Sequence, residues 1–581
     1  MSQKQSQTQP LTYVLCIGLG LWGFVETGPL MVQGHIQWLP ALALCVALGC
    51  ALQLLPMLAL YCAGLIEWYG ARQATGREGQ ARWANWGDFK ADTRKSMGTP
   101  FWGLLAGSSK SLLVDFVSNA LVVAPAGSGK TIFIVIVNIF CIRASKIVAD
   151  FKGELACVCA AALKTFYNER VLIFNPSDLW TDVLGESERY SPLDIIVDEL
   201  HMPGCINDVF DTVREMAKQI FPEPAKGGGE NVYFRNGGRR AIEDAALIEC
   251  IICGYEATLS SVALLIEDRH AFERHMRWIL GVDLEGKPLA EGPMPIHECE
   301  WVAQHDPQDV EHFIQLLRAR ATNWLSLMGS ADTRTFDAFA SGAQQHLAPF
   351  SSGRVAAKMR SSTFSLNDLK DELMTLFFVS DASRPELYKA VNGLMQWCAM
   401  TAMKRHPKKD VPVYFILDEA TNYYIEGLAT SLLTWGRSYG LRLLIVFQDF
   451  SAYQKTYGDK ALETLLSETE IKLFLPGQRS PSTLERIKKL IGNQSIAGAS
   501  HAQKHLGEAV SENVREQARA LADEDEIRTS RHGILIVRDK PAALVEPVSY
   551  AQINPFRDQA GINPFHGKPF KQRVRVKLKT S

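Results

Sequence analysis

The chain has 581 residues, a formal net charge of −2 and a hydrophobic share of 47%. That length exceeds what one core supports, since folded domains cluster near ~100 to 200 residues, and the near-neutral balance excludes a protein that coats nucleic acid through a general basic surface. The 12 cysteines are scattered; neither Cys157/Cys159 nor Cys250/Cys253 has a second pair at zinc spacing, which argues against a metal site and for small buried thiols in a reducing compartment.

Apolar residues concentrate at the start of the chain. Leu11 to Val32 and Trp38 to Ile66 each supply the ~20 residues that cross a ~30 Å hydrocarbon core, so two transmembrane helices in contact with membrane lipid are expected. Glu26 interrupts the first run and is placed near an interface, where a carboxylate costs least. Only Lys4 precedes the first span, whereas Arg72, Arg77, Arg82, Lys90, Arg94 and Lys95 follow the second, with no Lys or Arg between the spans. This charge bias predicts a multi-pass anchor with both termini, and the bulk of the chain, in the cytoplasm. The weak charged region at the start argues against a cleaved signal peptide.

Next comes a short apolar run from Asn119 to Ala124, then Pro125-Ala126-Gly127-Ser128-Gly129-Lys130-Thr131, then a strongly apolar stretch from Ile132 to Ile142. Strand, loop and helix in that order predict a P-loop. Its glycines let backbone N–H groups curl round phosphates, the Lys reaches the β and γ oxygens, and the Thr hydroxyl ligates Mg²⁺. Residues 124–131 are therefore candidate ATP-binding positions; Ala124 stands where the strict pattern has Gly. Far downstream, the apolar strand Val413 to Leu417 ends in Asp418-Glu419. Asp418 is the candidate second Mg²⁺ residue beside Thr131, and Glu419 the candidate that orients or deprotonates the attacking water.

Further strand-like runs at Lys146 to Asp150, Arg170 to Phe174, Thr375 to Val379, Leu441 to Phe447, Ile471 to Leu475 and Gly533 to Val537 alternate with helical stretches. That pattern predicts a mostly parallel α/β sheet of RecA-like type, with ligands at the strands' carboxyl ends, where Lys130, Asp150, Asp418 and Gln448 fall. The span between Lys130 and Asp418 is longer than the sheet requires and largely helical in pattern, as in Asn236 to Ile252 and Val310 to Met328, so an inserted all-α domain is expected. Arg239, Arg240, Arg318 and Arg320 there are either phosphate contacts or solvated helix faces. The predicted boundaries are 1–70 for the anchor, 71–191 and 351–554 for the two parts of the nucleotide-binding domain, 192–350 for the insertion and 555–581 for a basic tail.

With these elements in place, the sequence resembles the TraG/VirD class of type IV secretion coupling proteins. Asp150-Phe151-Lys152-Gly153-Glu154 is similar to that family's Asp-x-Lys-Gly-Glu element, Arg360-Ser361-Ser362 and Leu369 to Ser380 to its return into the sheet, and Gly436 to Arg442 with Phe447-Gln448-Asp449 to its arginine-finger and glutamine-sensor stretch. The resemblance covers most of the chain after the membrane segments. It implies a hexameric ATPase of the bacterial inner membrane that presents single-stranded relaxosome DNA, relaxase and effector proteins to the components of a secretion channel. It also implies that Asp150 and Lys152 belong to the nucleotide site, that Arg437 acts in trans and that Gln448 senses the γ-phosphate. The connector between the spans is short compared with the periplasmic domain of many relatives. The alternative is a membrane-anchored receptor or scaffold with weak or no ATPase activity, which Ala124 leaves open. Beyond Pro555, Lys568, Lys571, Arg573, Arg575, Lys577 and Lys579 read as a solvated tail or as an arm for nucleic acid or acidic lipid.

Overall fold

A computed structural model of the chain describes residues 42, 45–51, 79–94, 96–223, 232–283, 285–288, 295–329, 334–502, 511–567 and 572–579. The expected membrane segments lie almost wholly outside these residues, as does the Gly227-Gly228-Gly229 loop. No helix among the described residues is long and apolar enough to cross a membrane. The chain forms two compact units, one of residues 1–81 with 492–521, the other of residues 82–491 with 522–581.

In the second unit the strands are β1 (Phe101–Leu105), β2 (Ser111–Leu113), β3 (Asn119–Val123), β4 (Ser145–Asp150), β5 (Arg170–Phe174), β6 (Met374–Val379), β7 (Val413–Leu417), β8 (Leu441–Phe447) and β9 (Thr469–Phe474). In the first unit β10 (Asn493–Ala502) and β11 (Ser511–Ala520) pair as an antiparallel hairpin, with Gln80 bridged to Gln494. The second unit adds β12 (Gly533–Val537) and β13 (Ala543–Glu546). Its eleven-stranded sheet has the order β2-β1-β13-β12-β9-β3-β8-β7-β4-β6-β5. From β9 to β5 every pairing is parallel. The central strands β3, β4, β6 and β7 are buried at every position, as strands covered on both faces must be, which is why they read as unbroken apolar runs. β12, β13, β1 and β2 extend the sheet in antiparallel fashion.

Helix α1 (Ile136–Cys141) follows the loop after β3, and α2 (Glu154–Tyr167) follows β4. Asn138 of α1 ties this layer to the antiparallel side: its carboxamide accepts the Phe101 N–H at 2.7 Å and donates to the Phe101 carbonyl at 3.1 Å. Between β5 and β6 the described chain is helical, with α3 (Asp194–Leu200), α4 (Val209–Ile220), α5 (Val232–Cys253), α6 (Leu259–Glu267), α7 (Arg269–Leu280), α8 (Pro307–Gly329) and α9 (Arg334–Ser351). Thr258 and Ser261 form a capping box on α6, and Asp268 caps α7 by accepting the Ala271 N–H, so the turn between them is fixed locally. Gly237 of α5 lies where a Cβ would overlap the Phe339 ring of α9, which lets the two helices approach closely.

Three of the arginines weighed as phosphate contacts are engaged inside this helical layer. Arg239 is 5% exposed and donates to the Phe221 carbonyl and to Glu223 at 2.7 and 2.9 Å. Arg320 pairs with Asp244, whose other oxygen accepts Trp324 Nε1–H at 2.6 Å, and Arg240 reaches the same carboxylate at 3.6 Å. Arg239 is thus a buried charge with the partners it needs, whereas Arg320 and Arg240 are partly exposed and paired with a buried carboxylate.

The segment read as a basic tail is corrected in the same way. α10 (Pro385–Arg405), α11 (Phe450–Tyr457), α12 (Asp459–Glu468) and α13 (Pro481–Ile491) complete the helices around the sheet, and the chain beyond Pro555 then folds back on this unit. Phe556 is fully buried and stacks on Phe140 with centroids 5.0 Å apart. Val576 and Leu578 are buried too, and the short strands β14 (Ile553–Asn554) and β15 (Val576–Lys577) pair in parallel. Apolar positions anchor the segment, while Arg573, Arg575, Lys577 and Lys579 are exposed.

Candidate nucleotide site

β3 runs straight into the loop. Ala124 is fully buried, and its N–H donates to the Phe447 carbonyl at the end of β8 at 2.9 Å. Its backbone is outside the left-handed region, so no glycine is required at this position. Gly127 and Gly129 are different: both have φ near +80° (78° and 79°), and a Cβ on Gly129 would overlap the Phe133 ring. The Ser128 N–H closes a turn on the Pro125 carbonyl at 3.0 Å, while its Oγ is buried with no hydrogen-bond partner among the described residues. The helix then opens with a π-helical turn, Thr131–Val135, before α1.

The parallel order β3-β8-β7-β4 sets the carboxyl ends of these strands side by side. Lys130 Nζ lies 3.1 Å from Asp418 Oδ1 and also bonds Glu419 Oε1, and Gln448 Nε2 donates to the same Glu419 oxygen at 3.4 Å. Residues far apart in sequence thus converge on one point. Glu419 holds φ at +52°, a left-handed conformation that costs a non-glycine residue free energy and recurs at functional sites.

Burial pushes the Asp418 carboxyl above the usual carboxylate range, and Lys130 only partly pulls it back. For Lys130, burial opposes the charge, but Asp418 and Glu419 outweigh it, so the ammonium titrates above the ordinary lysine value. The pair is a fixed positive group held by two carboxylates, ready to exchange one of them for a more strongly charged phosphate.

A cavity of about 740 Å³ opens over this point. The loop residues Pro125 to Gly127 and Gly129 to Thr131 line it, together with Lys152, Glu419 and Gln448. Asp418 is not on its wall but lies beneath Lys130. Asp150 also stays off the wall. It is 2% exposed and accepts the N–H groups of Ala156 and Lys152 at 2.8 and 3.3 Å, and burial pushes its carboxyl up to about 7. Its place is to organise the turn into α2, which also needs Gly153 at φ +70°, where a Cβ would meet Trp180 Cδ1 at 2.8 Å. Arg437 is exposed in the turn Gly436–Tyr439 before β8, at the end of the sheet opposite Gln448. β8 spans roughly 20 Å at ~3.3 Å per residue, so Arg437 does not join Lys130 within one chain.

Sequence reasoning missed part of this cavity. Glu154 and residues 549–551 line it, as do Asn563, His566, Gly567 and Gln572. A signal was present: Ile-Asn-Pro-Phe occurs twice, at residues 553–556 and 562–565. The two phenylalanines take different seats, Phe556 on Phe140 and Phe565 edge-on to Trp180 at 5.7 Å.

The sequence profile of the family described as "Type IV secretory system Conjugative DNA transfer" matches residues 80–252 and 308–571. The chain belongs to this family. Among curated relatives, Protein VirD4 of Rhizobium radiobacter is 24% identical over 445 residues, covering 74% of this chain and 57% of that protein. Protein VirD4 of Agrobacterium fabrum is 22% identical over 488 residues, covering 81% and 65%. The chain thus spans less than two thirds of the length of these relatives. The fold is similar to that of the bacterial conjugative coupling protein TrwBΔN70 in its unbound form, with a TM-score of 0.55 and 15% identity over 81% of this chain and 92% of that one. It is also similar to TrwB in complex with ADP and Mg²⁺, with a TM-score of 0.54 over 81% and 94% at the same identity. At that identity the likeness establishes the shared α/β fold.

Proposed function

We propose that this member of the conjugative DNA-transfer family is the ATPase coupling protein of a type IV secretion or conjugation system, anchored in the inner membrane by its two N-terminal spans. The observation that carries the reading is the convergence of Lys130, Asp418, Glu419 and Gln448 at adjacent strand ends beneath one cavity. The unpartnered Ser128 Oγ and the curled N–H groups of the loop suit a phosphate chain. The oxygens of Thr131 and Asp418 are hard donors that suit Mg²⁺, which when bound neutralises charge on the β- and γ-phosphates. Nucleotide complexes of a protein with the same fold support ATP as the ligand.

In this reading the ammonium of Lys130 leaves Glu419 for the phosphate oxygens as ATP enters. Glu419, released and held in its strained backbone, then orients a water molecule for attack on the γ-phosphorus, with ADP as the leaving group. Gln448 shares the Glu419 oxygen and so registers whether the γ-phosphate is present. Arg437 of a neighbouring subunit stabilises the charge on the transferring group, which calls for a ring, taken as a homo-hexamer. The work done is movement of single-stranded DNA with its relaxase, or of effector proteins, toward the channel components.

A receptor without ATPase activity draws no support from Ala124, because that backbone needs no glycine. The test is ATP hydrolysis by the wild type and by Lys130→Ala, each with and without single-stranded DNA. Hydrolysis by the wild type, stimulated by DNA and lost in the variant, is expected; a wild type that binds substrates and hydrolyses nothing overturns the reading.

A further inference from the structure

The nucleotide cavity has two sides of different origin. One is the P-loop with its N–H groups and Lys130; the other is contributed by residues 549–551, 563, 566, 567 and 572. Phosphates belong at the first, where the donors and the positive charge are. At about 740 Å³ the cavity has the size of a site for a whole small molecule and is larger than a triphosphate chain alone requires. We infer that the C-terminal segment forms the nucleoside side of the site, with Gln572 and His566 contacting the base and ribose of the bound nucleotide. The inference rests on the nucleotide reading above and adds to it the part of the ligand that the P-loop does not touch.

The segment is built to hold a fixed shape there. Asn563 is 2% exposed; its Nδ2 donates to Glu154 Oε1 at 2.6 Å, while its Oδ1 accepts the N–H groups of Phe565 and His566 at 2.9 and 3.2 Å. One carboxamide thus fixes the turn that carries His566 and ties it to the first residue of α2. The Gly561 N–H donates to the Val158 carbonyl of α2 at 2.8 Å, and a Cβ on Gly561 would overlap the Cys157 carbonyl oxygen. Tyr550 is 3% exposed and packs into the same core as Phe556. A wall fixed before the ligand arrives loses little entropy on binding.

The groups it presents suit a nucleoside. Gln572 is exposed and lines the cavity; its Oε1 accepts Ser549 Oγ–H at 3.3 Å, and its amide N–H groups have no partner among the described residues. A carboxamide offers a donor and an acceptor side by side, the pairing that a base edge can meet. The His566 ring lines the same wall with no side-chain hydrogen bond among the described residues and offers a flat face for a base to stack on.

The test compares two probes on the full chain, ATP and inorganic tripolyphosphate, by equilibrium binding. Tripolyphosphate occupies the P-loop and has no nucleoside. The variant is His566→Ala with Gln572→Ala, both at exposed positions, with the unfolding midpoint as a control. Gln572→Glu, which keeps the side chain's length and removes its donors, is the second variant. The wild type is expected to bind ATP more tightly than tripolyphosphate. The variants are expected to lose about tenfold in ATP affinity, the scale of one or two polar contacts, with tripolyphosphate binding unchanged. Unchanged ATP affinity, an equal loss for both probes, or a wild type that binds both equally overturns the inference. Failure of the nucleotide reading itself has a different signature: Lys130→Ala would then leave both probes bound as in the wild type.

Discussion

Asp150 and Glu419 show how the site imposes cost on single residues. Glu419 is held at φ +52° between Lys130 and Gln448, and Asp150 is a buried carboxylate with two N–H donors and no cation among its hydrogen-bonded partners. For Asp150 the consequence is a pH dependence whose sign can be worked out. Its folded pKa, about 7, stands above the unfolded value of 3.8, so its contribution to stability is fully present below pH ~4 and is lost as pH rises through 7. Asp150→Asn keeps one acceptor oxygen and removes the titration. Thermal unfolding of wild type and variant at pH 5.5 and pH 8 should show the wild type losing stability relative to the variant at the higher pH. Parallel behaviour at both values would mean that Asp150 is not held against ionisation.

At the scale of elements, a buried glutamine ties a loop of the site to the helical layer. Gln219, near the end of α4, is 5% exposed; its Nε2 donates to the Tyr424 carbonyl at 2.9 Å and its Oε1 accepts the Glu426 N–H at 2.6 Å. It clamps the loop that begins at Glu419. On the other side of that loop, Thr456 and Tyr457 of α11 donate to the carbonyls of Thr421 and Tyr423 at 2.9 and 3.0 Å. Gln219→Leu leaves two backbone groups without their partner, a loss of about 1 to 3 kcal/mol for each, and frees the helical layer from the loop. The expected result is a lower denaturation midpoint together with ATP turnover that no longer responds to DNA. Turnover that keeps its full response to DNA would assign the clamp to stability alone.

The same scale shows what the sequence could and could not reveal. β3, β4, β6 and β7 are legible because strands buried on both faces must be continuously apolar, and the loop residues Gly127 to Thr131 because phosphate binding restricts their types. β1, β2 and β13 are short antiparallel strands with no chemistry to mark them, and they went unread. The C-terminal wall is hidden for another reason: Val574, Val576 and Leu578 alternate with Arg573, Arg575, Lys577 and Lys579 in the period of a strand, but the cations give the stretch the look of a solvated tail, and Phe556 is a lone aromatic in a polar stretch. Their burial depends on where Phe140 and the sheet lie, which is a property of the tertiary fold.

Across the whole molecule, the position of Arg437 carries the claim of assembly. It is exposed at the amino end of β8 while Lys130 and Gln448 sit at the carboxyl ends of their strands, so in the proposed mechanism a second subunit supplies it. Lys130→Ala and Arg437→Ala are each expected to be inactive alone. Mixed in equal amounts they should regain a measurable fraction of ATPase activity, because some junctions then pair an intact Lys130 with an intact Arg437. Mixtures as inactive as the separate variants would remove Arg437 from the site. The most direct test of the central claim, that these strand ends hydrolyse ATP, is ATP binding and turnover measured side by side for Glu419→Gln. The account predicts that ATP is still bound while turnover falls about a hundredfold or more, the scale of a lost general base; turnover equal to that of the wild type would contradict it.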